Sequence, residues 1–176
     1  YNCKDVTLFR RVNLGSGYFT SAAHPVHISA SGCCGRKAGR LPASGTIPTI
    51  HPFAEYRSRR SCLREYAAAI ALPLIEKNDY GLRPFVRAVA EDISNRCIKC
   101  YEMRLMETAK QAKEGGFDSF TSSLFISPYQ HHELLKAVAQ RAGEIYGVGF
   151  LYRAFHPCLK MSKATARESG FDLQQY

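Results

Sequence analysis

The sequence contains no long apolar run, no recognisable signal peptide and no surplus of acidic residues. Without a run of about 18 apolar residues, we expect no helix that spans a membrane. No charged start followed by an apolar stretch marks a secretory leader. An apolar content of 45% with 22% charged residues excludes a disordered chain and indicates a globular domain within the 176 residues.

The seven cysteines lack the pattern of a secreted disulfide framework. Their number is odd, and they include the adjacent pair Cys33-Cys34 and the motif Cys97-x-x-Cys100. Metal or redox use in a reducing compartment fits this pattern better, so we expect a cytoplasmic protein. Cys62 falls inside a predicted helix, and we interpret it as incidental.

The net charge of +9 favours an anionic partner, most often a nucleic acid. The charge is unevenly distributed, however. Residues 1–50 hold six basic residues and one acidic residue, whereas residues 51–176 hold 18 basic and 14 acidic residues. The well-patterned part of the chain is therefore only mildly basic, and charge by itself identifies no partner.

Two parts of the chain differ in pattern. In residues 1–46 the apolar residues keep neither the helical period of 3.6 residues nor the strand period of 2. Only Val6–Phe9 and Pro25–Ile28 have the composition of strands. We expect this part to be an irregular segment, either disordered or not native in sequence. Residues 47–176 are expected to form an α/β domain of catalytic type, truncated at its carboxyl end.

Helical and strand patterns alternate along the second part. The periodicity predicts helices over 55–71, 82–90, 97–113, 130–146 and 160–169, and strands over 74–75, 117–124 and 148–152. Such alternation with short links predicts parallel strands joined by helices in a three-layer domain. The apolar face of helix 97–113 comprises Tyr101, Leu105, Thr108, Ala109 and Ala112.

Ligands of such sheets bind at the carboxyl ends of the strands. Ser122, Ser123, Ser127 and Pro128 follow the strand predicted over 117–124 and are therefore expected near a site. A solvated helix start is our preferred interpretation of His131-His132.

The stretch Arg96-Cys97-x-x-Cys100-Tyr101 begins the longest predicted helix. Residues three apart lie on one face of a helix, so both sulfurs face the same way. Unpaired backbone N–H groups and the helix dipole favour thiolate over thiol there. Zinc, an iron–sulfur cluster, a redox dithiol and buried cysteines all remain compatible with the motif. The charged neighbours Arg96 and Lys99 favour metal ligands over buried cysteines.

Three arginines, Arg57, Arg60 and Arg64, form one stripe on the helix predicted over 55–71. Basic side chains in a stripe can bind phosphates, although such a face is more often simply solvated.

A series of motifs runs in order through residues 47–176. They are His51-Pro52-x-x-Glu55-Tyr56, Asp79-Tyr80, Arg96-Cys97-x-x-Cys100-Tyr101-x-x-Arg104-Leu105, Phe117-Asp118-x-Phe120-Thr121-x-x-Leu124, Ser127-Pro128-Tyr129-Gln130 and Tyr146-Gly147-Val148-x-Phe150-Leu151. This series resembles the QueH family of epoxyqueuosine reductases. The resemblance implies a Rossmann-like fold of the HUP group with a mainly parallel sheet. It also implies a two-electron deoxygenation of epoxyqueuosine to queuosine at the wobble position of tRNA.

The resemblance further implies a 4Fe–4S cluster as the cofactor. Its implied ligands are Cys97, Cys100, Cys33 and Cys34, and an additional iron or an acid would take the oxygen. The implied partners are the anticodon loop of tRNA and an electron donor whose identity the sequence does not give. We expect the RNA to be bound by Arg57, Arg60, Arg64, Tyr129 and Gln130.

The sequence departs from the family pattern at two places. Arg36 and Lys37, rather than the family's Pro and Cys or Asp, follow Cys33-Cys34-Gly35. The chain stops at Tyr176, where the family has a redox-active Cys-Gly-Cys, so we expect this polypeptide to be a poor reductase.

Two other functions remain as alternatives. In one the protein is a zinc-stabilised RNA-binding module without redox activity. In the other it is a nucleotide-using tRNA enzyme of the HUP group, for which Leu14-Gly15-Ser16-Gly17 is too weak a phosphate loop.

Overall fold

A computed structural model describes residues 17–20, 43–45, 52–69, 74–76 and 79–152. Within these ranges the protein is a mixed α/β structure, as the alternating pattern predicted. The strands are β1 (Gly17–Thr20), β2 (Ala43–Gly45), β3 (Leu74–Glu76), β4 (Ser119–Ser122) and β5 (Gly149–Phe150). The helices are α1 (Phe53–Ala69), α2 (Leu82–Val89), α3 (Arg96–Glu114) and α4 (His132–Tyr146).

The five described strands form one sheet in the order β3-β2-β1-β4-β5, and every neighbouring pair is parallel. The central strand β1 pairs with β4 from Gly17 opposite Ser119 to Thr20 opposite Ser122. Because all strands point the same way, their carboxyl ends lie along one edge. This edge is where α/β proteins bind ligands.

β1 and β2 were not predicted from the sequence. Both are short: β2 consists of Ala, Ser and Gly, and the four residues of β1, Gly-Tyr-Phe-Thr, are too few to show the alternation that marks a strand. Their position in the sheet comes from pairing with other strands: β1 pairs with β4, and β2 pairs with β3. The predicted strands Val6–Phe9 and Pro25–Ile28, and the predicted helix over 160–169, lie outside the described residues. The division between residues 46 and 47 stays a prediction.

The core lies where α3 and α4 pack on each other, with α3 against β1 and β4 and α4 against β5. On α3 the buried residues are Tyr101, Leu105, Thr108, Ala109 and Ala112, which confirms the predicted face. Phe120, Phe125 and Leu135 are almost completely buried in the same cluster. This burial of apolar surface is the main stabilisation of the α3–α4 layer.

The ends of α3 and α4 follow from their glycines. Gly115 ends α3, and Gly116 after it has a φ of 70°. Gly147 ends α4 with a φ of 65°, and its amide donates to the carbonyl of Gly143. Only glycine adopts this left-handed conformation without strain, so Gly116 and Gly147 account for the ends of both helices. In the described part of the chain, no helix is long and apolar enough to cross a bilayer.

Candidate active site

An open cleft of about 530 Å³ separates the start of α3 from the start of α4. It is lined on one side by Ser94, Asn95, Cys97 and Ile98, and on the other by His131, His132, Glu133 and Leu134. Helix α3 precedes β4 and runs back along it, while α4 follows β4. The first turns of both helices therefore lie at the carboxyl edge of the sheet, the edge at which ligands of such sheets bind.

Cys97 and Cys100 occupy the first turn of α3 and are both half-buried. Neither is in a disulfide bond. The side chain of Cys97 lines the cleft. Lys99, in the same turn, forms an ion pair with Glu102 at 3.4 Å, and no acidic residue lies in the first turn of α3. The turn therefore presents two thiols outside disulfide bonds, one of them at the cleft.

The described thiols make up half of the predicted ligand set, because Cys33 and Cys34 lie outside the described residues. Among the described residues, no group of three or more His, Cys, Asp or Glu side chains could hold a metal ion. Two thiolates on one turn are donors that both an iron–sulfur cluster and a structural zinc accept. The residues that are present thus fit the predicted cluster in type.

Tyr101 follows Cys100 and connects α3 to the turn before α4. Its hydroxyl donates to Oε1 of Gln130 at 2.7 Å and accepts from the backbone N–H of His131 at 3.3 Å. Only 3% of Tyr101 is exposed. Burial raises the pKa of this hydroxyl above its ordinary value, so it remains a neutral donor.

The turn that Tyr101 contacts carries the predicted substrate-binding residues Tyr129 and Gln130. The Ser127 hydroxyl accepts from the Tyr129 amide at 3.3 Å, and the Ser127 carbonyl lies 2.9 Å from Nε2 of His132. A carbonyl only accepts, so His132 carries its proton on Nε2 in this contact. Tyr129 is 90% exposed at the tip of the turn. An exposed aromatic on a braced turn is suited to stacking on a nucleobase.

His132 corrects the expectation of a solvated histidine pair. His131 is exposed, as expected, and precedes the first residue of α4. His132 is instead half-buried, bonded to Ser127 and packed 5.6 Å from the ring of Phe125. Adjacent positions at a helix start point in different directions, and no local pattern indicated which histidine would face the core.

Tyr152, after β5, is a second exposed aromatic at this edge, and the sequence did not indicate it. Its ring packs edge-on against Phe125 at 5.1 Å, with 45% of the residue exposed. The Nζ of Lys136 lies 5.2 Å from the centre of this ring. The aromatic and the ammonium group together give the edge a further surface suited to a base and a phosphate.

The arginine stripe lies on α1, and two of its members have an acidic partner. Glu76 at the end of β3 accepts from Arg60 at 2.9 Å and from Arg64 at 2.6 and 2.8 Å. Hydrogen bonds from Arg64 lower the pKa of Glu76. Arg57 is exposed. Glu76 offsets part of the positive charge of the stripe, and phosphate binding by these arginines stays a prediction.

An aromatic cluster joins two of the motifs that the sequence analysis singled out. The rings of Phe53 and Tyr56 at the start of α1 lie 5.1 and 5.0 Å from the ring of Tyr80. Asp79 beside it accepts from the amide of Gly81 at 3.0 Å, which shapes the turn into α2. These motif residues therefore hold the start of α1 to the loop after β3. Cys62, in the same helix, is half-buried and lines no part of the cleft.

A parallel α/β sheet with a cysteine pair and an exposed aromatic turn at its carboxyl edge is the framework of a ligand-binding or redox protein. Comparison with known sequences specifies the family. The family model described as "Epoxyqueuosine reductase QueH" matches residues 46–176. The chain belongs to the QueH family.

Three curated relatives show how far the similarity extends, and each is named epoxyqueuosine reductase QueH. The protein from Dehalococcoides mccartyi is 33% identical over 129 residues, which cover 73% of this chain and 71% of that protein. The Helicobacter pylori protein is 29% identical over 73% of this chain and 38% of its own length. The Histophilus somni protein is 33% identical over 69% of this chain and 54% of its own length.

Proposed function

We propose that this protein is an epoxyqueuosine reductase that acts on tRNA. The observation that carries the proposal is the placement of the family's cysteine pair. Cys97 lines a cleft at the carboxyl edge, Cys100 lies in the same turn of α3, and the Tyr101 hydroxyl hydrogen-bonds to the turn that bears Tyr129 and Gln130. This arrangement supports a site in which redox donors and base-binding groups lie at one edge. A tRNA substrate would also give the protein a cytoplasmic location.

The reaction has a defined balance of atoms and electrons. Both carbon–oxygen bonds of the epoxide break, a carbon–carbon double bond forms, and the oxygen leaves as water. This change consumes two electrons and two protons. We propose that a low-potential one-electron carrier is the source of the electrons, and that Cys97 and Cys100 would hold the group that supplies them at the site.

The proposed cofactor is a 4Fe–4S cluster held by Cys97, Cys100, Cys33 and Cys34. When bound, such a cluster supplies electrons one at a time, at a potential set by burial and by hydrogen bonds to its sulfurs. The first turn of α3 supports this role because it carries two thiols within four residues, and Cys97 lines the cleft. An additional iron or an acid near the cleft is proposed to take the oxygen.

The proposed fold is the Rossmann-like, three-layer arrangement of the HUP group. The parallel strand order with β1 at the centre supports it. The proposed substrate surface is the carboxyl edge, where Tyr129 would stack on an unpaired base of the anticodon loop and Gln130 would lie beside it. Arg57, together with Arg60 and Arg64, is proposed to contact phosphates farther along the RNA. Binding is then expected to weaken as salt rises.

The test is anaerobic purification followed by an assay on tRNA that carries epoxyqueuosine, with a low-potential reductant. We expect bound iron and sulfide, a brown protein, and slow formation of a nucleoside product that has lost one oxygen atom. Cys97→Ser and Cys100→Ser should each lose both the iron and the activity. Cys62→Ser, a thiol of α1 away from the cleft, is the matched control and should retain both.

Other results of this experiment are equally informative. A colourless protein that holds zinc and binds tRNA without reducing it would favour the RNA-binding module instead. Loss of iron in Cys62→Ser, with full retention in Cys97→Ser, would refute the assignment of the cysteine pair.

A further inference from the structure

The Tyr101 hydroxyl joins two parts of the site that lie far apart in sequence. Its partners Gln130 and His131 are 29 and 30 residues away. Tyr101 is fixed at its other end, because its ring is buried in the same core cluster as Leu105 and Leu135. The hydroxyl is therefore held at a definite position next to the cysteine-bearing turn.

The turn over residues 127–131 has its own internal support. The Ser127 hydroxyl accepts from the Tyr129 amide, and the Ser127 carbonyl accepts from His132. These bonds set the shape of the turn from within and from α4. The bonds to Tyr101 come instead from α3. They set where the turn lies relative to the two thiols, which is a different property.

We propose that Tyr101 is a positioning residue for the reductase reaction, holding the turn with Tyr129 in register with Cys97 and Cys100. The inference rests on the proposed function, because it concerns the alignment of a base bound at the turn with the redox groups on α3. In this role Tyr101 contacts neither the substrate nor the groups that carry the electrons. Its effect is on geometry, and small losses of alignment at a reacting centre lower the rate constant of the chemical step.

The test is Tyr101→Phe, which keeps the ring in the core and removes both bonds of the hydroxyl. Two measurements separate misalignment from misfolding. Bound iron per protein reports the fraction of intact enzyme, and the single-turnover rate constant, with enzyme in saturating excess over tRNA, reports the alignment. We expect a rate constant about fivefold lower. Iron content should be unchanged.

A second readout does not depend on activity. In Tyr101→Phe the His131 amide loses its acceptor, so hydrogen–deuterium exchange of the peptide that covers residues 127–131 should become faster. Exchange in the cysteine-bearing turn should remain as in the wild type. Tyr146→Phe is the matched control, because this tyrosine packs against the same core from α4. It should change neither the exchange of the turn nor the rate constant.

The outcomes separate the two proposals. If the wild type reduces epoxyqueuosine and Tyr101→Phe behaves like Tyr146→Phe in both assays, the positioning role is refuted while the proposed function stands. A lower iron content with an unchanged rate constant would also refute it, because that result indicates misfolded protein rather than misalignment. A wild type with bound iron and no reductase activity would overturn the proposed function and this inference with it.

Discussion

The α3–α4 region, with β4 and β5, packs around a large buried apolar core, whereas α1 buries Tyr56, Leu63 and Ala67 and meets β3 through ion pairs. In the first region Leu105, Phe120 and Leu135 are almost completely buried. In the second, Arg60 and Arg64 meet Glu76 while 54% of the Arg64 side chain stays exposed. Burial of apolar surface contributes far more free energy than partly exposed ion pairs.

This difference agrees with the proposed functions of the two regions, the redox site in the α3–α4 region and the RNA contact on α1. The cysteines and the turn over residues 127–131 need fixed relative positions, and the densely packed core supplies them. A surface that follows a flexible RNA backbone needs charge more than rigidity, and α1 offers charge. Stability in the two regions should therefore respond differently to mutation, pH and salt, which four substitutions can test.

The largest effect should come from truncating a core aromatic. Phe120→Ala removes a ring that is 1% exposed and should lower the free energy of unfolding by about 3–5 kcal/mol. Phe53→Ala is the matched truncation on α1, where the ring is 53% exposed and contacts Tyr56 and Tyr80. It should cost about 1 kcal/mol. Equal losses in urea unfolding would contradict the proposed contrast.

An added methyl group in the core should have the next largest effect. A Cβ at Gly143 would lie 2.6 Å from the carbonyl oxygen of Val148, so Gly143→Ala forces α4 away from the chain leading into β5. We expect the free energy of unfolding in urea to fall by about 1–3 kcal/mol, although replacing glycine by alanine usually stabilises a helix. The control is Ser58→Ala at an exposed position of α1, which should be neutral or slightly stabilising. A stabilised Gly143→Ala would show that the α3–α4 layer adjusts more easily than its packing indicates.

Breaking the ion pairs of β3 should have a smaller and pH-dependent effect. Hydrogen bonds from Arg64 lower the pKa of Glu76 below the ordinary value of 4.5. A lowered carboxylate pKa stabilises the fold above the unfolded-state value, and this contribution is lost as the pH falls through the folded-state value. Glu76→Gln should therefore cost about 1 kcal/mol at neutral pH.

The pH profile of Glu76→Gln provides its own check. The difference in unfolding free energy between wild type and variant should shrink as the pH falls below the ordinary glutamate value. High salt at neutral pH should shrink it as well, because Arg64 is largely exposed. A difference that stays constant from neutral to acidic pH would show that Glu76 acts through packing rather than charge.

The smallest effect should come from an exposed pair on the otherwise well-packed α3. The Nζ of Lys110 lies 3.8 Å from Oε1 of Glu114, and both side chains are about half exposed. Lys110→Ala should change the unfolding free energy by less than about 0.5 kcal/mol, because exposed pairs contribute little and alanine favours a helix. A larger loss in thermal or urea unfolding would mean that surface charge also supports the α3–α4 region.

Local patterns predicted the helices well and the strands less well. Helix α3 was predicted over 97–113 and spans Arg96–Glu114, with every predicted core residue buried. The strand predicted over 117–124 ends at Ser122 and continues as a short 3-10 turn over Ser123–Ile126. The Ser122 hydroxyl accepts from the Leu124 amide at 3.2 Å, and such side-chain bonds compete with strand pairing.

The candidate site was predicted in its residue types but not in its contacts. The sequence identified the cysteine pair, the turn with Tyr129 and the arginine stripe. It did not show that Glu76 pairs with Arg60 and Arg64, because these partners come from different elements, 16 and 12 residues apart. The hydrogen bond between Tyr101 and Gln130 could not be predicted for the same reason, since the two residues are 29 apart.

The sequence by itself determined the helices, their core faces, the glycine stops and membership of the QueH family. These features depend on local periodicity, on backbone conformation and on an ordered set of motifs, all of which are written along the chain. The tertiary structure decided the strand order, the inclusion of β1 and β2, and the link from the cysteine-bearing turn to the turn at Tyr129. Such contacts join residues far apart in sequence, so their energies depend on how the whole sheet is assembled.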